Sequence, residues 1–202
     1  MGYNPPMNKK TRTRLSPAAR TDQLLDVAKQ MIMSDGLQSF TIESLARTAA
    51  VTSPLVYNYF SSRQALLQAL LEREYRKSGK ALLTEVSNAN SFDDAIRMFV
   101  ANNFDYHASG NLLPVLLSQP DIADSIKSTR LQQGKQIADY LIENIAKNYQ
   151  LTIEQAQVAV TLSSGASIAA AEWVAMNTFD RNQATDMALK YIKAGMESLA
   201  DG

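Results

Sequence analysis

The sequence predicts an all-α protein of about nine helices, and three observations carry that prediction. Apolar residues recur at three- and four-residue spacing along nearly the whole chain. Most of these runs open on a Ser or Thr placed to cap a helix, several with Glu, Gln or Asp three residues later. No segment alternates with a period of two for long enough to demand a strand. Apolar residues make up 46% of the 202 positions, so the chain can bury one large core or two small ones.

The elements follow in order. Residues 1–15 carry two prolines, few apolar side chains and the bases Lys9, Lys10, Arg12 and Arg14, which read as a flexible basic arm. Ser16-Pro17 opens the first helix, with Leu24, Leu25, Ala28, Met31 and Ile32 on one face and Gly36 as its stop. Thr41 caps a second helix with Ile42, Leu45, Ala46 and Ala49 on its apolar side. Thr52 or Ser53 caps a short third helix ending near Tyr59-Phe60. Ser61 with Gln64 reads as a capping box for a fourth, which continues toward Val86. The fifth starts at Ser91 and carries Ile96, Phe99, Val100 and Phe104 to a stop at Gly110. A short apolar sixth lies between Asn111 and Gln119, and a long seventh runs from Asp121 to about Tyr149. Thr152 with Gln155 opens the eighth, which reaches about Met176, and Asn182 to Leu199 is the ninth.

Composition excludes several chemistries. The absence of cysteine removes disulfides, thiolate metal sites and a cysteine nucleophile. A nucleophile–base pair would depend on the single histidine, His107. No Gly-rich phosphate loop, HExxH or metal-ligand spacing is present, so neither an enzyme nor a cofactor is expected. No signal-peptide pattern and no run of about 18 apolar residues appears, so a cytoplasmic protein without a membrane partner is expected. Net charge is zero, yet residues 1–80 hold 12 Lys/Arg against 6 Asp/Glu, while the rest hold 8 against 14. A basic front on an acidic body suggests a polyanion for the front alone.

The second and third helices are short and are joined by Ala50-Val51-Thr52. A turn of this length is the helix-turn-helix geometry, whose second helix enters a DNA major groove. The third helix starts with hydroxyls and ends in Tyr57-Asn58-Tyr59. Arg63 sits in the first turn of the fourth helix, against that helix's dipole, and a phosphate partner would account for it.

Residues 17–67 resemble the DNA-binding domain of the TetR (tetracycline-repressor) family of transcriptional regulators. The matching positions are Ala28, Gly36, Phe40-Thr41-Ile42, Leu45-Ala46, Ala49, Val51, Tyr57, Phe60, Ser62-Arg63 and Leu66-Leu67. The resemblance implies phosphate contacts from Thr41, Tyr57, Tyr59 and Arg63, and base contacts from Thr52, Ser53, Leu55 and Asn58. Charge alone adds Lys9, Lys10, Arg12 and Arg14 of the arm. Ser53-Pro54-Leu55 replaces the frequent Lys-Gly-Thr, Tyr59 stands where His is common, and Glu43 stands where Arg is frequent. The resemblance therefore does not carry over an operator sequence.

It further implies a helix-turn-helix domain at residues 16–62 and a ligand-binding, dimerising domain at residues 63–202. The expected protein is a ligand-responsive repressor that binds a palindromic double-stranded operator as a homodimer. A small-molecule effector, apolar or amphipathic, would release it. Asn103, Tyr106, His107, Glu172 and Trp173 are the candidate effector residues, although a lone His and a Trp are ordinary in a core or on a surface. Small residues in the eighth helix, with Gly165, Ala166 and Ala169, together with Tyr191 in the ninth, are the candidate dimer face. Packing of the same small residues within one subunit is the alternative. A helical adaptor with no DNA role is the remaining competitor.

Overall fold

Caps decide where the helices start. The computed structural model describes residues 15–107 and 111–200, and among these ten α-helices and one 3-10 turn form, with no strand. The basic arm residues Lys9, Lys10, Arg12 and Arg14, and the expected stop at Gly110, lie outside the described residues. Helix α1 (Pro17–Asp35) begins on Ser16, whose hydroxyl accepts from Ala19 N, and ends on Gly36 at φ 83°, a left-handed position that glycine takes without strain. In α2 (Ile42–Thr48), Thr41 accepts from Ser44 N while Ser44 Oγ accepts from Thr41 N. Thr52 caps α3 (Ser53–Tyr57). Ser62, not Ser61, caps α4 (Arg63–Ser87) by accepting from Ala65 N, one residue later than the capping-box pattern indicated.

Helices α5 (Phe92–His107), α6 (Leu112–Leu117), α9 (Ile153–Met176) and α10 (Arg181–Ala200) match the expected segments. The seventh predicted helix is divided into α7 (Pro120–Ala123), a 3-10 turn (Asp124–Ile126) and α8 (Lys127–Tyr149). Ile122 of α7 and Ile126 of the 3-10 turn both sink into the first core.

Two cores result. The head core joins α1 to the first half of α4, with Leu24, Leu45, Val56, Leu66, Leu67, Leu70 and Leu71 at or near zero exposure. It also takes Leu112, Leu113 and Leu116 of α6 with Ile122 and Ile126. The body core begins at Leu82 of the same α4 and is completed by α5, α8, α9 and α10. Residue 62 is therefore not where the apolar contacts divide. The division falls inside α4, between Leu71 and Leu82, and α6 with α7 folds back onto the head.

Helix α9 bears on the membrane expectation. Its length and mean hydropathy of 1.3 would suit a membrane span, and only 22% of that window is buried. No long unbroken apolar run produces this value. Alanines raise the mean while Thr161, Ser163 and Ser164 interrupt the sequence. In the bundle, α9 packs against α5, α8 and α10.

Candidate nucleic-acid interface and body cavity

The turn between α2 and α3 holds Ala50 at φ 53°, so the chain reverses there through a left-handed alanine. Val51 N then donates to Ala46 O at 2.9 Å and closes the turn. Val56 is fully buried and pins α3 to the head, with Phe60 behind it. Sequence reasoning missed Val56, although its four-residue spacing to Phe60 is the usual signal of a core face.

With Val56 inward, the opposite side of α3 faces out. Tyr57 is 47% exposed, and Thr52 and Asn58 are exposed. Ser53 and Leu55 are half-buried at the start of the helix. Thr52 Oγ1 accepts from Leu55 N at 3.3 Å, which leaves the hydroxyl proton for another acceptor. Thr41 is exposed, but its hydroxyl is engaged with Ser44 as both acceptor and donor. Tyr59 is half-buried and packs on the head core, so it is anchored more than presented.

Arg63 differs from its sequence reading. Its Nε donates to Phe40 O at 2.9 Å and its Nη2 to Leu37 O at 2.8 Å. The guanidinium also lies 5.8 Å from the centre of the Phe40 ring. These contacts tie down the loop between α1 and α2 and account for an arginine at the start of α4.

Below the head, α4 and α1 are joined by a charged cluster. Buried Glu74 accepts from Lys29 Nζ at 2.7 Å and pairs with Arg73 at 2.9 Å. Arg73 also reaches Asp26 at 2.9 Å. Burial alone would raise the Glu74 pKa, but hydrogen bonds and charges from Lys29 and Arg73 outweigh it and hold the carboxyl below its ordinary range.

A cavity of about 590 Å³ lies between α4, α5, α6, α8 and α9. Four of the five candidate effector residues, Asn103, Tyr106, His107 and Glu172, line it. Asn103 is partly committed there, since its Nδ2 donates to buried Ser167 Oγ at 2.7 Å. His107 stands edge-on to Tyr106, with ring centres 5.0 Å apart. Burial, with Tyr75 nearby, pushes the Tyr106 phenol up to about 12 against the pull of Arg130, so it stays protonated and able to donate. Tyr75 and Arg130 also line the cavity and were not singled out from sequence. They sit on α4 and α8, and no local pattern shows which face of either helix meets α5.

Trp173 is not in this cavity. It is 53% exposed, stands edge-on to Phe179 and lines an open apolar groove between α9 and α10. Ala166 and Tyr191 line the same groove, and Tyr191 is 73% exposed. Leu162 is 64% exposed and Met176 78%, and they continue the stripe at helical spacing with exposed Ala169. A Cβ at Gly165 would meet nothing within 4 Å, so no neighbour in the subunit requires glycine there.

Comparison with known proteins agrees with this architecture. Residues 24–70 match the family model described as bacterial regulatory proteins, tetR family. The chain is 28% identical over 165 residues to the HTH-type transcriptional repressor NemR of Escherichia coli K12, covering 74% of this chain and 82% of that protein. A transcriptional regulator from Pseudomonas aeruginosa PAO1 superposes with a TM-score of 0.68 at 16% identity, over 95% of this chain and 97% of the other. RolR, whose structure holds the ligand resorcinol, superposes at 0.60 with 17% identity, over 91% and 94% of the two chains. Helix-turn-helix geometry, the family match over residues 24–70 and a regulator relative along most of the chain agree: residues 24–70 form a DNA-binding domain like those of the tetR family, and the chain as a whole is similar to DNA-binding transcriptional regulators.

Proposed function

We propose that the protein is a ligand-responsive repressor, acting in the cytoplasm, which binds a palindromic operator as a homodimer and is released when an effector fills the body cavity. One observation carries the reading. Leu113 of α6 is part of the head core and also lines the cavity. A ligand that displaces Leu113 therefore presses on the packing that orients α3. Helix α4 offers a second path, since it runs from the head core into the cavity wall. RolR, which shares this fold, is seen with the ligand resorcinol, which supports a small-molecule ligand for this chain.

On DNA, α3 would enter the major groove, with Thr52, Ser53, Leu55 and Asn58 toward base edges and Tyr57 toward phosphate. Thr41 and Tyr59 would add phosphate contacts at the flank, and Arg63 would act by holding its loop. The exposed stripe on α9 and α10 would be covered by the second subunit. An apolar surface of this kind is uncommon on a monomer, and Gly165, Ala166 and Ala169 let a partner helix approach closely.

Selection of bound fragments from genomic DNA tests the reading. The expected sites are inverted repeats with half-site centres one helical turn, about 34–36 Å, or a multiple of it apart. Bound sites without dyad symmetry, or no salt-sensitive binding to any duplex, would overturn it. Leu162→Glu with Tyr191→Glu should leave a folded monomer by sedimentation and should weaken operator binding. A double variant that stays dimeric places the interface elsewhere.

A further inference from the structure

The cavity has two chemically different ends, and the helix directions fix which is which. Helices α4 and α8 leave the head, whereas α5 and α9 run toward it, because Leu66–Leu71 and Ile126 lie in the head core while Val86 and Leu151 lie in the body core. Near the head the four helices contribute Tyr75, Tyr106, Arg130 and Glu172. Away from it they contribute Leu82, Phe99, Leu141 and Val160. A small void of about 10 Å³ shares Phe99, Leu141 and Val160 with the apolar end and continues it toward Ile96 and Ile145.

The charges at the polar end are not used internally. Among the described residues no carboxylate pairs with Arg130 within 4 Å, whereas the other arginines of the body and lower α4, Arg76, Arg97 and Arg181, have such partners. Arg130 is close enough to Tyr106 for its charge to act on that phenol. Glu172 likewise has no cation within 4 Å among the described residues. One guanidinium with phenol donors beside it suits a carboxylate, since charge-assisted hydrogen bonds are the strong ones. One carboxylate at the same end disfavours a second negative charge.

From the effector-pocket reading above, on which this step rests, we infer that the ligand is an amphipathic monocarboxylate. Its carboxylate meets Arg130 at the head end, and its hydrocarbon tail lies between Phe99, Leu141 and Val160. A ligand of this polarity places its charged group next to Leu113 and Leu117 of α6, at the junction with the head.

Calorimetric titration of the full chain with decanoate, decanol, decyl phosphate and decyltrimethylammonium tests this. Decanoate should bind at least about tenfold more tightly than decanol or the cation, the scale of one charge-assisted hydrogen bond. It should also bind more tightly than decyl phosphate. Arg130→Met should remove the decanoate preference and leave decanol unchanged. Arg130 is exposed, so folding is not at stake in that variant. Equal or tighter binding of decanol, decyl phosphate or the cation would overturn the monocarboxylate assignment but not the pocket. An unchanged decanoate affinity in Arg130→Met would do the same. If none of the four binds, or if filling the apolar end with Val160→Trp leaves all of their affinities unchanged in a variant folded by circular dichroism, the effector-pocket reading falls and this inference falls with it.

Discussion

In the head, seven large side chains from α1, α2, α3 and α4 have essentially no exposed surface, and helices as short as α3 are held by one of them, Val56. In the body, the longer helices α5, α8 and α9 border a half-open cavity of about 590 Å³ with α4 and α6 and turn Leu162, Trp173 and Met176 outward. A reading head must hold a fixed shape against DNA, and close packing supplies that. On the proposed function, a body that senses a ligand and dimerises would need unfilled space and uncovered apolar surface, and both reduce what one subunit gains from folding. The same residue types therefore serve opposite ends: leucine fills the head and lines a hollow in the body.

Truncation of one leucine in each region should expose this difference most strongly. Leu66→Ala in the head should cost about 4 kcal/mol, because a filled site leaves a new cavity. Leu141→Ala, already at the cavity wall, should cost about 2 kcal/mol or less, because part of its surroundings is empty before the change. Urea unfolding of both variants measures the gap, and equal losses would break the comparison.

The charged cluster between the regions comes next. Glu74→Gln should destabilise by about 2 kcal/mol at neutral pH, by leaving Lys29 and Arg73 without their buried acceptor. Because the Glu74 pKa is held below its unfolded value near 4.5, its contribution is fully present above that pH. It is lost as pH falls through the lower folded value. The wild type should therefore lose its advantage over Glu74→Gln on acidification below about pH 4.5, and a constant difference down to pH 2 would refute this.

Two smaller changes sharpen the contrast. Ala50→Gly should stabilise the head by about 0.5 kcal/mol, since glycine takes φ 53° without the Cβ clash but loses more backbone freedom on folding. A thermal scan showing a lower Tm would contradict that. Gly79→Ala places a Cβ against Gln133 Oε1, the end of a flexible side chain that must give way. Stability should change by less than about 0.5 kcal/mol, as helix propensity offsets the adjustment. Gln133 would have to move within the cavity lining, so ligand affinity should fall while stability does not.

Legibility in the sequence follows the same division. The caps Ser16, Thr41, Ser91 and Thr152 are local, since each acts through a hydrogen bond within three residues, and all four were readable. The turn at Ala50-Val51-Thr52 and the exposed Tyr57 and Asn58 follow from spacing within about ten residues. The internal partners of Arg63 were not readable, because Leu37 O and Phe40 O are 26 and 23 residues away. Trp173 was placed in the cavity and proves to face the α9–α10 groove, because helical periodicity does not say which of two apolar surroundings a face meets. Tyr75 and Arg130 were missed for the same reason. Sequence spacing also did not show that the two cores share α4, since the head borrows Leu112, Leu116 and Ile122 from a segment far along the chain.

By itself the sequence determined most of the helices, most of their starts and the turn between α2 and α3, because capping and amphipathic spacing act over one or two turns of chain. Only the tertiary structure decided that α6 belongs to the head, that four helices leave a two-ended cavity and that α9 keeps an apolar face uncovered. Those outcomes depend on how the rotation of each long helix meets its neighbours, and packing between distant segments sets that rotation.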